Sequence, residues 1–284
     1  MKIIRSVSEM QKWSATEQNA GKTIGFVPTM GALHSGHAKL FSQSVTENQR
    51  TVVSIFVNSL QFNNASDLEA YPRQLEQDHV IAEDENVDVL FAPSHEEMYP
   101  EGFSSIISAG YIAEHMEGLH RPGHFDGVAT VVVKLLNAVR PNIAYFGQKD
   151  FQQVAVIRQV VRDLNLDCCI ESVPTVRDHL GLALSSRNAR LSPKHLAEAS
   201  SIYVHLQELV EQSRQSDTTS ESLKMAFSER LHNSTSGVVE YVEVVDTKTL
   251  LSSSHVTTGC TICVAVWFGE VRLIDNISVS HFPD

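Results

Sequence analysis

The chain has 284 residues, 42% of them hydrophobic, enough to fill one large core or two ordinary ones. Lys and Arg number 22 against 34 Asp and Glu, and the net charge of -12 argues against broad binding to nucleic acid or anionic membrane while leaving room for a local basic pocket. The opening MKIIRSVSEMQKW lacks the apolar stretch of a secretory signal, and VATVVVKLL meets a charge long before membrane-spanning length, so a soluble, cytoplasmic protein is expected.

In chain order, TIGFV (23–27) reads as a strand and 36–48 as a helix. TVVSIFV (51–57) is followed by a charged helical stretch over 67–85, then by VDVLFA (87–92) and, beyond an irregular region, by a helix over 127–139. IAYF (143–146) leads into DFQQVAVIRQVVRDL, and CCIESV (168–173) closes the series. Strands rich in Val, Ile and Phe alternating with helices predict a Rossmann-like, doubly wound parallel sheet over 1–175, with ligands at the carboxyl ends of its strands.

The pattern then changes. Helical segments over 193–213 and 220–232 precede the strand-like runs VVEYVEVVD and TICVAVWFG, which predicts a smaller C-terminal α+β domain over 176–284. The apolar-poor stretch 211–222 reads as a solvated loop. Cys260 and Cys263 have the spacing of a redox pair or half a zinc site, but on a strand they point to opposite faces, and with Cys168 and Cys169 they read as ordinary thiols.

After the first strand comes PTMGALHSGH. Pro28 and Gly31 supply a turn, and a helix begins near Ser35 or Gly36, so its unpaired N–H groups face the crevice as a phosphate site. His34 and His37 flank that site. They suit donation to phosphate oxygens as charge develops on departing pyrophosphate; metal ligation and an ordinary surface role are the alternatives.

Other strand ends carry polar groups. Asn58 and Gln61 are neutral amides suited to a small polar substrate, or else turn formers. Lys149 stands beside a helix N-terminus and suits phosphate, Asp150 suits a cap or a ribose hydroxyl, and Gln153 follows one turn on. Ser185, Ser186 and Arg187 lie between the two domains, placed either to close over a triphosphate or to cap the next helix. Arg121 is either a carboxylate or phosphate ligand or a surface arginine.

PTMGALHSGH, SIFVN with Gln61-Phe62, DLEAYPR, EGLHRPGHFDGVATVVVKL, FGQKDFQQ, GLALSSRN and RLIDN, in that order, closely resemble the pantothenate synthetase (pantoate-β-alanine ligase) family of the nucleotidylyltransferase superfamily. The resemblance implies ATP-dependent condensation of (R)-pantoate with β-alanine through a pantoyl adenylate, giving pantothenate, AMP and pyrophosphate. It implies ATP contacts from Met30, Gly31, Ala32, Leu33, His34, Ser35, Gly36 and His37, from Gly147, Gln148, Lys149 and Asp150, and from Val176, Leu184, Ser185, Ser186 and Arg187. His37 is then the proton donor and His34 a phosphate ligand, while Gln61 and Gln153 bind pantoate, Gln61 also reaching β-alanine. It further implies Mg²⁺ entering with ATP, with no protein ligand assigned, and a homodimer.

Two departures stand out. Ser59-Leu60 follows Asn58 where the family commonly has proline, which frees a φ angle near Gln61, and Leu180 occupies a place often small or acidic. Two other functions compete with the ligase: another nucleotidylyltransferase, which would leave the nucleotide on its product, and a catalytically silent nucleotide- or tRNA-binding module. The second is disfavoured by the retained histidines, Lys149 and Ser185 to Arg187, and by the acidic charge.

Overall fold

A computed structural model describes residues 1–214 and 218–280. The chain divides into two compact units, one of residues 1–148 and 152–174 and the other of residues 149–151 and 175–284.

The first unit holds β1 (Lys2–Ile4), α1 (Val7–Asn19), β2 (Ile24–Thr29), α2 (Ser35–Glu47), β3 (Arg50–Ile55), α3 (Ala65–Glu69), α4 (Leu75–Asp84), β4 (Val89–Phe91), α5 (His95–Met98), α6 (Glu117–His120), α7 (His124–Val139), β5 (Ile143–Gly147), most of α8 (Phe151–Asp163) and β6 (Cys169–Val173). Its six strands lie in the order β1-β4-β3-β2-β5-β6, every neighbouring pair parallel. From β2 the chain builds outward to β3 and β4 on one side, then returns to place β5 and β6 on the other. The crevice between the carboxyl ends of β2 and β5 is therefore the topological switch point, where a doubly wound sheet takes its ligand.

Burial explains the composition of these elements. β2 and β3 are buried along most of their length, with β2 almost wholly apolar and β3 apolar at Val52, Val53 and Ile55, and Val27, Val53 and Leu90 pack with Leu40 and Phe41 of α2. α7 is apolar nearly all round and buries twelve of its residues, as an interior helix must.

Three features differ from the sequence reading. β1 and α1 carry little signal: β1 is a three-residue edge strand, and α1 buries only Met10 and Ser14. The charged stretch over 67–85 is two helices, α3 and α4, because Pro72 lacks an N–H and disfavours helical geometry at Tyr71. The C-terminal sheet has a third strand.

The second unit contains α9 (Pro193–Ala199), α10 (Ser201–Ser213), α11 (Ser220–Ser234), β7 (Val238–Asp246), β8 (Cys260–Phe268) and β9 (Val271–Ser278). The strands form an antiparallel sheet in the order β7-β8-β9, and Leu206, Leu209, Phe227 and Leu231 of the helices close its core over Ile262, Val264 and Val266. β8 turns into β9 through Gly269-Glu270, with Gly269 at φ +60° supplying the positive φ that a tight hairpin demands. Of the expected solvated loop over 211–222, the flanks belong to α10 and α11, and residues 215–217 lie outside the described residues. All four cysteines are free thiols, Cys260 and Cys263 buried in β8.

Candidate active site

The loop after β2 is held from beneath by a carboxylate. Gly31 and Ala32 both take left-handed backbone angles, at φ +82° and +52°. Asp78 of α4, 1% exposed, accepts the Ala32 N–H at 3.1 Å on Oδ2 and the Leu33 N–H at 2.8 Å on Oδ1. A Cβ on Gly31 would lie 2.8 Å from Asp78 Oδ2, so only glycine allows this approach. Thr29 Oγ1 takes the Gly31 N–H and donates to the Ser54 carbonyl, tying the same turn to β3.

The loop delivers His34 as the N-cap of α2. His34 Nδ1 accepts the Gly36 N–H at 3.1 Å, and His37 Nδ1 accepts the His34 N–H at 3.3 Å, a reciprocal capping box made by two imidazoles. An acceptor nitrogen carries a lone pair, so in the neutral rings the proton sits on Nε2. The rings lie 4.1 Å apart, centroid to centroid, tilted 47°. Both imidazoles thus carry an Nε2–H donor at a helix N-terminus, beside the crevice where anions are favoured.

Gln61 ends the short 3-10 turn Ser59–Gln61 that follows β3. Its side chain is gripped by Asn58, whose Nδ2 donates to Gln61 Oε1 at 2.9 Å and to the Gly127 carbonyl at 3.0 Å. Its backbone carbonyl accepts His124 Nδ1–H at 2.8 Å and an Arg121 N–H at 3.2 Å. Arg121 also meets His124 Nε2 at 3.1 Å, which fixes that ring with its proton on Nδ1. The structure thus places Arg121 against the back of the Gln61 turn. Gly127 is obligatory there, since a Cβ would stand 2.4 Å from the Leu60 carbonyl oxygen.

Ser59 and Leu60 leave the turn intact, and Ser59 Oγ pairs with His95 Nε2 at 3.1 Å. A cavity of about 750 Å³ opens beside this turn, lined by Met30, Phe56, Ser59, Arg73, Asp78 and His95 among others.

At the other wall of the crevice, β5 ends at Gly147 and Gln148 follows. The two adjacent glutamines of α8 divide their work. Gln152 is buried and clamps the 112–117 loop, donating to the carbonyls of Ile112 and His115 and accepting the Glu117 N–H. Gln153, half-buried, has no hydrogen-bond partner for its amide among the described residues.

The second unit carries the remaining polar group of candidates. Lys149 Nζ stands 3.9 Å from Asp150 Oδ1, and the Lys149 carbonyl accepts Asn276 Nδ2–H at 3.0 Å. The Val176 carbonyl accepts the Leu184 N–H, closing a small antiparallel loop. Ser185 caps the 3-10 turn Ser186–Arg190 by accepting the Arg187 N–H at 3.2 Å. Arg177 holds this segment to β9 through a two-pronged pair with Asp275, at 2.6 and 2.9 Å, and lies 3.5 Å over the Tyr203 ring. Leu180 is 52% exposed on a turn fixed by Asp178, which accepts the Leu180 and Leu182 N–H groups.

Sequence reading missed Asp78 and Tyr99, whose hydroxyl donates to Asn58. Both act through buried hydrogen bonds between distant segments, and no spacing rule announces these. Among the described residues no helix is long and apolar enough to cross a membrane, and no cluster of three or more His, Cys, Asp or Glu is arranged to hold a metal ion.

This arrangement has counterparts. The model of the pantoate-β-alanine ligase family matches residues 2–278. The pantothenate synthetase of Thermotoga petrophila is 46% identical over 276 residues, 97% of this chain and 99% of that one. The solved pantothenate synthetase of Thermus thermophilus superposes with a TM-score of 0.92 at 42% identity, covering 99% of this chain and 100% of its own. The pantoate-β-alanine ligase of Francisella tularensis, solved in complex with β,γ ATP and β-alanine, gives 0.81 at 38% identity over 100% of both chains. With the family model matched across nearly its whole length, the chain belongs to the pantoate-β-alanine ligase family.

Proposed function

We infer that this chain joins (R)-pantoate to β-alanine at the expense of ATP, releasing AMP and pyrophosphate. The observation that carries the chemistry is the reciprocal capping of His34 and His37 at the N-terminus of α2, which assigns the ring proton of each to Nε2. In the first step a pantoate carboxylate oxygen attacks the α-phosphorus and the bond to pyrophosphate breaks. Negative charge grows on the bridging and equatorial oxygens, and donors held in place by the capping stabilise it without reorganising. His37 serves the departing pyrophosphate and His34 holds phosphate beside it. In the second step the β-alanine amine attacks the acyl carbon, loses a proton, and AMP departs. The substrates supply both nucleophiles, so the protein positions and neutralises.

Gln61 and Gln153 are the proposed pantoate amides, with Asn58 directing the first; Arg121 acts from behind Gln61. Met30 to His37, Gly147, Gln148, Lys149, Asp150, Val176 and Leu184 to Arg187 are the proposed ATP contacts, the Lys149 and Arg187 charges meeting phosphate. Mg²⁺ entering with the nucleotide would supply neutralisation of phosphate charge, and no residue of this chain is assigned to hold it. Family resemblance supports a homodimer, and the four free thiols suit a reducing cytoplasm.

The test is to supply ATP, Mg²⁺ and pantoate, follow pyrophosphate exchange, then add β-alanine and detect AMP with the amide. Absence of pantoate-dependent exchange refutes the assignment. Exchange with another acid or phosphate ester points to a different nucleotidylyltransferase.

A further inference from the structure

Tyr99 lies 41 residues from Asn58 in sequence, just after α5, yet the two side chains meet at 2.7 Å. The Tyr99 ring is 8% exposed and wedged among Phe56, His95 and Phe103, with centroids 5.8, 5.3 and 4.9 Å away. Burial pushes its hydroxyl well above the ordinary tyrosine range, so it stays a donor. That single proton goes to Asn58 Oδ1.

The consequence runs along the chain of bonds. The Gly127 carbonyl can only accept, so the Asn58 atom facing it must be Nδ2, and Oδ1 must face Tyr99. The same Nδ2 faces Gln61, so Gln61 must present Oε1 inward and its NH2 outward. Gln61 is 9% exposed, and its Nε2 has no protein acceptor among the described residues. A nearly buried amide donor with no partner is built for an acceptor that arrives with a ligand, such as a carboxylate or hydroxyl oxygen.

We propose that Tyr99 is a positioning residue for substrate recognition: through Asn58 it locks Gln61 with the donor end toward the acid substrate. Without the hydroxyl, Asn58 Oδ1 is left unpaired in a buried site and only the Gly127 carbonyl still holds the Asn58-Gln61 pair in register, so orientations that offer a substrate oxygen another oxygen become more populated. This rests on the assignment of Gln61 to pantoate.

The experiment is a double-mutant cycle of Tyr99→Phe and Gln61→Ala, read as KM for pantoate, KM for ATP and kcat, with thermal melts as the folding control. Tyr99→Phe should raise KM for pantoate about tenfold, the worth of one buried hydrogen bond, and leave kcat and KM for ATP within about twofold. In the Gln61→Ala background the same change should add less than about twofold, because its only route is already cut. A folded Tyr99→Phe enzyme with unchanged KM for pantoate, or a full tenfold effect in both backgrounds, overturns the proposal while Gln61 stands. If Gln61→Ala alone leaves KM for pantoate unchanged, the Gln61 assignment has failed and Tyr99 falls with it. Should Tyr99→Phe not fold, Asn58→Ala cuts the path one bond nearer Gln61, and an unchanged KM for pantoate in that folded variant overturns the proposal.

Discussion

Asp78 offers the sharpest test of how the histidine loop is held. Its carboxylate takes two backbone N–H groups, at 3.1 and 2.8 Å, from Ala32 and Leu33, both themselves buried. Hydrogen bonds to a charged group contribute about 1.5–3 kcal/mol each. Ala32 also stands in the left-handed region, which costs an L-residue about 1–2 kcal/mol and needs something to hold it there. Asp78→Ala strands both donors, and with partial relief by entering water the loss should be about 3–5 kcal/mol. For a unit of this size 1 kcal/mol moves Tm by about 2–4 °C, so a fall of roughly 10 °C is expected. Asp78→Asn keeps one acceptor oxygen and should lose about half as much. Calorimetric melts give the stability, and ATP–pyrophosphate exchange gives the function. The Asn variant, folded at 25 °C, should show exchange reduced by about tenfold or more, because His34 and His37 lose their fixed aim. If Asp78→Ala melts within about 2 °C of the parent, or if folded Asp78→Asn exchanges at the parental rate, the carboxylate does not hold this loop.

His37→Ala should slow adenylate formation by at least about 10²-fold in single-turnover measurements, with ATP affinity changed less, as expected for losing one transition-state donor. Gly127→Ala forces a Cβ to within 2.4 Å of the Leu60 carbonyl oxygen, so the Gln61 turn must shift; KM for pantoate should rise while KM for ATP holds, and unchanged values for both would contradict this. Asp246 is held below the usual carboxylate range by the Thr249 N–H, then the Thr249 hydroxyl and the Lys248 N–H. A depressed folded pKa stabilises above the unfolded value near 4 and is lost as pH falls through the folded one, so acid melts should show this loss and Asp246→Ala should abolish that part of the slope. Ser59→Pro should be tolerated, since Ser59 opens its turn and its N–H has no acceptor among the described residues; a gain of about 0.4–1 kcal/mol from chain stiffening is offset in part by losing the His95 contact, and a marked fall in Tm would show that this contact matters more.

The parallel sheet was legible because its inner strands are buried on both faces and therefore fall within largely apolar runs, TIGFV around β2 and TVVSIFV around β3. β1 and α1 were illegible for the converse reason. A three-residue edge strand and a helix burying two side chains leave no periodic trace. β9 was overlooked although Gly269 marks a hairpin, because VRLIDNIS mixes charged and apolar residues on a strand whose Asp275 is committed to Arg177.

The site divides along the same physical line. PTMGALHSGH announces itself because a strand, a glycine turn and a helix start leave unpaired N–H groups that only a ligand or a cap can satisfy. What the sequence could not reveal is that the histidines themselves do part of that capping. His34 and His37 each take a backbone N–H on Nδ1, and the same bonds fix where their remaining donors lie. Gln61 shows the complementary case, with its inner oxygen consumed by Asn58 and its outer nitrogen left without a protein partner among the described residues. In both places a side chain that looks like a free functional group is half structural. Its structural half decides which atom it offers to the substrate, so the residues that hold its surroundings, Asp78 beneath the histidine loop and Tyr99 behind Asn58, bear on recognition without needing to touch a ligand.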